Sequence, residues 1–509
     1  MSGELVDLSR RTEPRRVDAE ICVIGSGCGG ATAARVLAEA GHEVVVLEEG
    51  GDYTGPELTQ RDGAMYDQLY MDRGGRMTDN RAVSILQGRV LGGGGVINAC
   101  DVVPIPDGVL EFWRRRHGLT EFTEAALSPH RAAALEDLSA SRILDSQLNR
   151  ANQLLRSGAE ALGLRGENMM HNRVGCIGLG TCLIGCPANA KRNPRFVSIP
   201  RALEVGVRFF TRARAVRIDD GTRELKRVRA RTLDPRGYHE QRDFEVRAKI
   251  VILAANAIGS AALLLRSGLG NSRVGRDVSL QPQIPVTGLF DERVDAFRGI
   301  PQAYAVTHHE RIDAERGLSG FRIEAIMGTP GIVSTLFPFT GAEGKTLMTT
   351  YAHVAAALCL VPDEATGTVE VSNAGRPVVR YQQSAEHKQR MREAVRVAAR
   401  IYLAAGATRV LVPASRPIEL RSEADLDRVD ALTLEPATAP LLSAHQQGGV
   451  RFAASASRGA ADPDGCVYGT RGVYVFDSSG FPSTSSTHTM TPIITVSRYL
   501  SAKLSASLG

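Results

Sequence analysis

A glycine-rich turn near the start of the chain has the spacing of a dinucleotide site. Gly25, Gly27 and Gly30 form the pattern G-x-G-x-x-G between an apolar run and a stretch of small residues. Such glycines permit a tight turn, a close approach of backbone to a pyrophosphate, and close packing of a helix on a strand. Glu48 follows about twenty residues later, where an acid can bind a ribose hydroxyl. The pattern predicts dinucleotide binding rather than a tight turn without a ligand.

A strand–helix–strand unit must hold these residues in place. Residues 19–24 and 43–47 are nearly continuous in apolar residues, which is typical of buried parallel strands. Residues 29–40 between them read as a small-residue helix that Gly41 closes. The start of such a helix offers N–H donors and positive potential to phosphates. Because NAD and FAD both bind units of this kind, the glycines alone leave the cofactor open.

A second glycine cluster lies in residues 87–98, QGRVLGGGGVIN, with four consecutive glycines from Gly92 to Gly95. A run of this kind can bring backbone flat against an aromatic ring system, with N–H groups near its nitrogens. The alternative is a flexible loop that binds nothing. Composition alone does not separate the two.

Several stretches in combination resemble the signatures of the glucose–methanol–choline (GMC) oxidoreductases, which are FAD enzymes. These stretches are residues 87–98, 250–254 leading into 256–270, 443–449 and 475–482. The second signature departs from the family pattern at Ala261, where proline is usual. The resemblance runs from residue 19 to the C-terminus and is loose over 106–174 and 286–439. It implies FAD, bound non-covalently, because no histidine stands at the expected linkage position before Asn98.

The resemblance also implies a two-part α/β fold. A discontinuous Rossmann-like FAD-binding domain would comprise residues 1–105, 175–285 and 440–509. An α+β substrate-binding domain, an antiparallel sheet with helices, would be inserted as residues 106–174 and 286–439.

Further cofactor contacts follow from the same resemblance. Along the flavin it places Arg89, Gly93, Val96 and Asn98, with Gly92 and Gly94 in the same glycine run. Val216 would contact the adenine through its backbone. Asp477 would lie near the ribityl chain.

His445, in the motif H-x-x-G-G, matches the catalytic base of the family. A histidine can take the alcohol proton while the carbinol hydride passes to flavin N5. For an isolated histidine, packing at a turn would be the simpler interpretation. The second catalytic residue is either His488, in residues 486–491 (STHTMT), or Thr491, the position that aligns through Pro492. We favour His488, because imidazole can both donate and accept a hydrogen bond.

Thr491 and Pro492 also resemble a helix start, with an N-cap residue before a proline at the first helical position. In the family this helix points its N-terminus at the pyrimidine end of the flavin, so Thr491 would be a cofactor contact too. The dipole of the helix would stabilise the anionic reduced ring. The alternative is a plain surface helix.

Three cysteines, Cys176, Cys182 and Cys186, lie on one glycine-rich loop. They could ligate an iron–sulfur cluster, as comparable loops do in some membrane-complex relatives. The spacing is looser than that of ferredoxins, and free buried thiols or one labile disulfide are the alternative.

Composition narrows the class of protein. The 509 residues carry a formal net charge of +5, and basic residues are scattered rather than clustered with aromatics, which disfavours nucleic-acid binding. No apolar run is long enough for a membrane span, and the default compartment is a reducing cytoplasm. The sequence therefore predicts FAD-dependent oxidation of a primary or secondary alcohol. The rival hypotheses are a flavin/iron–sulfur dehydrogenase that passes electrons to an acceptor protein, and a non-redox lyase or binding protein on the same fold.

Overall fold

Two β-sheets organise the chain in the computed structural model, which describes residues 3–12, 14–313, 315–318, 320–336, 339, 341–485 and 488–509. The α-helices that the structure assigns are α1 (Cys28–Glu39), α2 (Asp62–Leu69), α3 (Gly94–Ile97), α4 (Asp107–His117), α5 (Glu124–Asp137), α6 (Arg150–Ala161), α7 (Ser198–Glu204), α8 (Asn256–Ser267), α9 (Pro330–Leu336), α10 (Gly341–Thr349), α11 (Ala385–Ala404) and α12 (Met490–Leu508). The strands are β1 (Glu4–Asp7), β2 (Arg16–Ile24), β3 (Val44–Leu47), β4 (Val83–Ile85), β5 (Ser141–Arg142), β6 (Gly166–Asn168), β7 (Met170–His171), β8 (Arg208–Thr211), β9 (Ala213–Asp219), β10 (Lys226–Leu233), β11 (Glu240–Leu253), β12 (Gln283–Leu289), β13 (Tyr304–Val306), β14 (Arg322–Ile326), β15 (Val354–Leu360), β16 (Thr368–Val371), β17 (Pro377–Arg380), β18 (Arg409–Val412), β19 (Ile418–Leu420), β20 (Leu441–Ser443) and β21 (Val473–Val475).

The first sheet has the order β1-β8-β3-β2-β11-β10-β9, with β21 beside β11. Along this order, neighbouring strands pair in parallel from β1 through β8, β3 and β2 to β11, and β21 is also parallel to β11. Strands β10 and β9 add an antiparallel edge. The central strands are apolar on both faces because helices cover the sheet. One of these helices, α1, packs against α12, so the C-terminal helix lies beside the first glycine turn.

The second sheet has the order β19-β18-β12-β15-β14-β13-β6, and its neighbours along this path are antiparallel. Helices α6 and α11 pack on one face. Alternate residues of β12 and β15 point to the other face and line a cavity. Thus one sheet supplies the glycine turn and the other supplies a wall opposite it.

The predicted α/β class, with a Rossmann-like part and an antiparallel sheet with helices, is confirmed. The predicted helix and strand boundaries agree to within a few residues over the first strand–helix–strand unit. Strands β4 and β20, placed by sequence in the FAD-binding segments, join the second sheet, where β20 pairs with β12 and β4 pairs with β20. The division into domains otherwise stays a prediction.

The predicted start of the C-terminal helix was wrong. Helix α12 begins at Met490 with Thr489 as its N-cap residue, so Thr491 is not the cap and Pro492 is the third helical residue. Proline is tolerated throughout the first turn, where backbone N–H groups have no partner within the helix. It therefore marks the first turn without fixing the first residue.

Among the described residues, no helix combines the length and the apolar character that crossing a membrane would require.

Candidate active site

A cavity of about 1140 Å³ runs between the two sheets. Its lining begins at the first glycine turn and ends at the histidines of the C-terminal region. The volume is at the upper end of the range for ligand pockets, so a large ligand can be enclosed together with a smaller one.

The first glycine turn forms one end of this cavity. Gly25 has φ +103°, and a Cβ there would lie 2.3 Å from the carbonyl oxygen of Ala254 on the neighbouring strand end. Gly27 is the N-cap of α1 and lines the cavity. A Cβ on Gly30 would lie 1.9 Å from the carbonyl oxygen of Gly25, so this glycine serves helix–strand packing and does not line the cavity. The three glycines thus occupy the positions that the spacing predicts.

Glu48 stands at the end of β3 and lines the same part of the cavity. Its carboxylate accepts hydrogen bonds from the backbone and side chain of Ser26, at 3.0 and 2.6 Å, and from the backbone of Gly50 at 2.7 Å. These bonds fix the carboxylate beside the helix N-terminus. Burial nevertheless raises the pKa of Glu48 above its usual value.

The second glycine cluster lies directly against the first. Gly93 has φ +59°, and a Cβ there would lie 2.7 Å from the Cα of Gly27. Gly94 lines the cavity, and apart from its chain neighbours and its own helix no atom of the described residues lies within 4 Å of the place where its Cβ would be. Gly92 is buried behind them and donates its N–H to the Ser26 hydroxyl at 3.1 Å. The cluster offers a flat backbone surface with open space in front of it.

Most of the other predicted cofactor contacts also line the cavity: Arg89, Asn98, Val216 and Asp477. The Arg89 guanidinium donates to the carbonyl oxygen of Gly237 at 2.6 Å, while its buried Nε has no hydrogen-bond partner among the residues that the structure describes. Asp477 accepts from the Ser260 hydroxyl at 2.6 Å. Val96 is buried but does not line the cavity.

His445 lies at the far end of the cavity, where it is buried. Its Nδ1 is 2.9 Å from Gln281 Oε1 and 3.0 Å from Gln283 Nε2. When Nδ1–H donates to Gln281, Nε2 carries the lone pair that a base requires. Burial, and secondarily the charge of His488, lowers the pKa of His445 to about 3. His445 is therefore neutral at physiological pH.

Gln281 is held in an unusual backbone conformation. Its φ is +46°, which a non-glycine residue adopts only when its surroundings impose it. The buried Asp363 carboxylate accepts the backbone N–H groups of Leu280 and Gln281, each at 2.9 Å. Asp363 therefore stabilises the segment that orients His445.

His488 lies beside His445 with the ring centroids 4.8 Å apart and the rings nearly perpendicular. Its Nε2 is 2.9 and 3.0 Å from the two oxygens of Glu324, and its Nδ1 is 3.7 Å from Asp101 Oδ2. The two carboxylates, Glu324 first, raise the pKa of His488 against the effect of burial.

Thr491 is also buried, but it does not line the cavity, and its hydroxyl has no hydrogen-bond partner within the described residues. Between the two alternatives for the second catalytic position, the cavity is lined by His488 and not by Thr491. Residues 486 and 487, which precede His488 in the predicted motif, lie outside the described residues.

The cysteine loop lies outside the cavity. Cys176 is exposed, Cys182 is buried and Cys186 is half-buried, and all three are free thiols. The three sulfur atoms do not all lie within 4.8 Å of one another in this part of the described chain. The Arg173 guanidinium approaches Cys182 Sγ at 3.3 Å and Cys176 Sγ at 3.9 Å. Ligation of an iron–sulfur cluster by this loop stays a prediction.

Sequence reasoning missed the polar residues that surround the two histidines: Asp101, Gln281, Gln283, Gln302 and Glu324. They lie on loops and strands with no motif around them. One signal was present, since Arg322 and Glu324 alternate with apolar residues on β14 and therefore share a face.

Comparison with known proteins identifies the family. The profile described as GMC oxidoreductase matches residues 66–283 in its N-terminal part and 362–497 in its C-terminal part. A profile for an NAD(P)-binding Rossmann-like domain matches residues 23–82. The chain belongs to the GMC oxidoreductases and is an FAD-dependent oxidoreductase.

Individual relatives span almost all of the chain. An uncharacterized GMC-type oxidoreductase of Mycobacterium tuberculosis is 34% identical over 94% of this chain and 75% of its own length. A long-chain-alcohol oxidase of Arabidopsis thaliana is 28% identical over 97% of this chain and 68% of its own. Among solved structures, pyridoxine 4-oxidase from Mesorbium loti has a TM-score of 0.71 at 16% identity and covers 95% of this chain and 99% of its own. A formate oxidase variant of Aspergillus oryzae has a TM-score of 0.71 at 15% identity, with 96% and 98% covered. These structural likenesses concern the fold.

The described residues fit FAD. The glycine turn at Gly25 and Gly27 fits the pyrophosphate, Glu48 fits the ribose, and the surface around Gly93 and Gly94 fits a flat ring system. A side chain at Gly93 would close this surface by contact with the first glycine turn, and one at Gly94 would enter the open space.

Proposed function

We propose that the protein oxidises a primary or secondary alcohol with an apolar substituent to the aldehyde or ketone. Bound FAD would supply the acceptor for a hydride from the carbinol carbon. His445 accepts the hydroxyl proton through Nε2, and His488 donates a hydrogen bond to the substrate oxygen. The observation that carries the proposal is the contact of two buried histidines at one end of the cavity that fits FAD.

The wall around the histidines favours an apolar substrate. The second sheet contributes Pro285, Thr287, Val354, Ala356 and Leu358 to the cavity. Helix α9 closes the same region with Ile332, Val333 and Leu336. Burying the methylene groups of an alkyl alcohol against such a wall stabilises the complex by about 0.8 kcal/mol per group. The relative from Arabidopsis thaliana named as a long-chain-alcohol oxidase supports this substrate class.

The decisive experiment is an anaerobic titration of the purified flavoprotein with alcohols. Straight-chain primary alcohols of increasing length should bleach the visible flavin absorbance, with half-saturation at lower concentration as the chain lengthens. Sugars and short polyols should bleach it weakly. If no alcohol in the panel reduced the flavin, the proposal would fail in favour of a non-redox role.

A pair of variants on α9 tests the apolar wall. Val333→Asp places a carboxylate in the cavity. We expect the concentration of long alcohol at half-saturation to rise about tenfold or more, because a charge is costly beside apolar groups. Ser334→Asp adds the same charge to the exposed face of the helix and should leave the titration unchanged. Equal effects of the two variants would show that charge on α9, and not the wall, affects binding.

A further inference from the structure

His488 is surrounded by acceptors. Its Nε2 faces both oxygens of the Glu324 carboxylate, at 2.9 and 3.0 Å, so this nitrogen carries a proton. Its Nδ1 is 3.7 Å from Asp101 Oδ2, and both residues line the cavity. A neutral ring with its proton on Nε2 would turn a lone pair towards that carboxylate. The arrangement fits a ring protonated on both nitrogens.

Glu324 is held as a carboxylate from its other side. Arg322 donates to it from the same strand, and Gln302 donates to it from the loop before β13. These donors and His488 keep the pKa of Glu324 well below its usual range although the side chain is fully buried. With its oxygens engaged by donors, Glu324 can only accept from the imidazole.

Asp101 is oriented by a second buried chain. Arg173 donates from Nε to His171 Nδ1 at 2.8 Å, which leaves the proton of His171 on Nε2. That nitrogen is 2.9 Å from Asp101 Oδ1. Burial lowers the pKa of His171, and its ring lies against Asp101 at this short distance without the alignment of a hydrogen bond. The other carboxylate oxygen, Oδ2, is the one near His488.

We propose that Glu324 and Asp101 are positioning residues that hold His488 as an imidazolium beside a neutral His445, so that the two histidines divide donor and acceptor roles before substrate binds. This inference rests on the proposed function. Glu324 accepts a hydrogen bond from the Nε2–H of His488, and the second ring proton makes Nδ1–H a donor for the substrate oxygen. His445, in contact with that cation and with two neutral glutamines, accepts the hydroxyl proton.

The charged and titratable groups that face His488 are Glu324 and Arg322 from β14, Asp101 from the loop after α3, and His445. Glu324 and Asp101 raise the pKa of His488, whereas Arg322 lowers it. Removal of the Glu324 charge therefore lowers this pKa. Activity that needs the imidazolium should then be retained at acid pH and lost as the pH rises through the lowered pKa.

The test is Glu324→Gln, which keeps the shape and removes the charge. We expect the rate of flavin reduction to fall about tenfold or more at pH 8, with less than about twofold loss near pH 5.5. Half-saturation by the alcohol should change little, because the variant affects the reaction rather than the apolar wall. Asp101→Asn should shift the profile in the same direction by less, because its carboxylate is farther from the ring.

Glu310→Gln is the matched control. Glu310 accepts from Arg322 at 3.1 Å and is only half-buried, and no contact joins it to His488 within the described residues. Its variant disturbs the same arginine and should keep the native pH profile. Identical profiles for the native protein and Glu324→Gln would overturn the inference.

A measurement on the native holoprotein needs no substrate and no change at Glu324 or Asp101. Nitrogen-15 NMR of ring-labelled histidine, with His488 assigned by comparison with His488→Gln, reads the protonation of both ring nitrogens. We expect His488 to be doubly protonated at pH 7 and His445 to be neutral. A singly protonated His488 would overturn the inference even if alcohols reduce the flavin. Conversely, a doubly protonated His488 without any alcohol reaction would count against the proposed function alone.

Discussion

The two ends of the cavity are built on different principles. At the glycine end the packing depends on backbone: Gly25, Gly27 and Gly93 let chain segments approach each other, and the Glu48 carboxylate accepts hydrogen bonds beside them. At the histidine end the arrangement depends on side chains, because His445 and His488 are held by hydrogen bonds to amides and carboxylates. One end depends on the absence of side chains and the other on their charge.

This difference determines which changes each end tolerates. An added methyl group matters most at the glycine end, because the closely packed backbone there cannot shift to make room for it as a flexible side chain could. A change of charge without change of shape matters most at the histidine end, because buried groups there are paired and an unpaired charge is costly. Variants can therefore separate cofactor binding from chemistry.

The largest effect is expected from His445→Gln. Glutamine keeps a polar group beside Gln281 but cannot act as a base, so the rate of flavin reduction by alcohol should fall about 10²–10⁴-fold. The flavin content of the purified protein should stay at the native level, since His445 lies at the end of the cavity remote from the glycine turn. Stopped-flow absorbance per bound flavin measures the first quantity, and extraction measures the second.

His387→Gln is the control for loss of a buried histidine. Burial also lowers the pKa of His387, to about 4, and its ring contacts Gln383 and the carbonyl of Val361 without lining the cavity. We expect a lower melting temperature and an unchanged reduction rate per bound flavin. A reduction rate in His445→Gln within tenfold of the native rate would contradict the assignment of His445 as base.

A smaller effect is expected from Gly94→Ala at the other end. The new methyl group meets no protein atom within 4 Å, so it opposes only a ligand in the cavity. FAD affinity should fall about tenfold or more, equivalent to about 1.4 kcal/mol. The apoprotein should melt at the same or a higher temperature, because alanine in a helix is favoured over glycine by about 0.5–1 kcal/mol.

Gly63→Ala is the matched control for this variant. Gly63 lies in α2, and a Cβ there also meets nothing within 4 Å, but the residue does not line the cavity. Its variant should gain stability and keep the native flavin content. If Gly94→Ala also kept native FAD affinity, the ring system would not lie against this glycine run.

The same contrast explains what the sequence could predict. The glycine end was predicted in detail because its residues are close in sequence and each glycine answers a local requirement for backbone space. The α/β class followed from buried apolar strands on either side of that turn. His445 could be predicted as a candidate base because it lies in a short motif that resembles the family.

The partners of the histidines could not be predicted in the same way. Asp101, Glu324 and His488 are far apart in sequence and meet only through the packing of the second sheet against the first. The local signal at Glu324, its alternation with apolar residues on β14, does not reveal that the side chain is fully buried. The start of α12 was misplaced for a related reason, because a proline fits several positions of a first turn.

The smallest effect is expected from Cys176→Ser, which tests whether the cysteine loop belongs to either end. Cys176 is exposed and outside the cavity, and the three sulfur atoms of the loop are not gathered within 4.8 Å of one another in the described structure. We expect less than a twofold change in the rate of flavin reduction and a change of about 0.5 kcal/mol or less in the free energy of unfolding.

Iron analysis of the native flavoprotein should give no more than the background. Stoichiometric iron that disappears in Cys176→Ser and Cys186→Ser would instead make the loop a third functional region and would favour electron transfer to an acceptor protein. The loop would then lie close to the histidine end, because Arg173 joins Cys182 Sγ to His171 beside Asp101, and Cys182 also interacts with Cys100, the residue before Asp101.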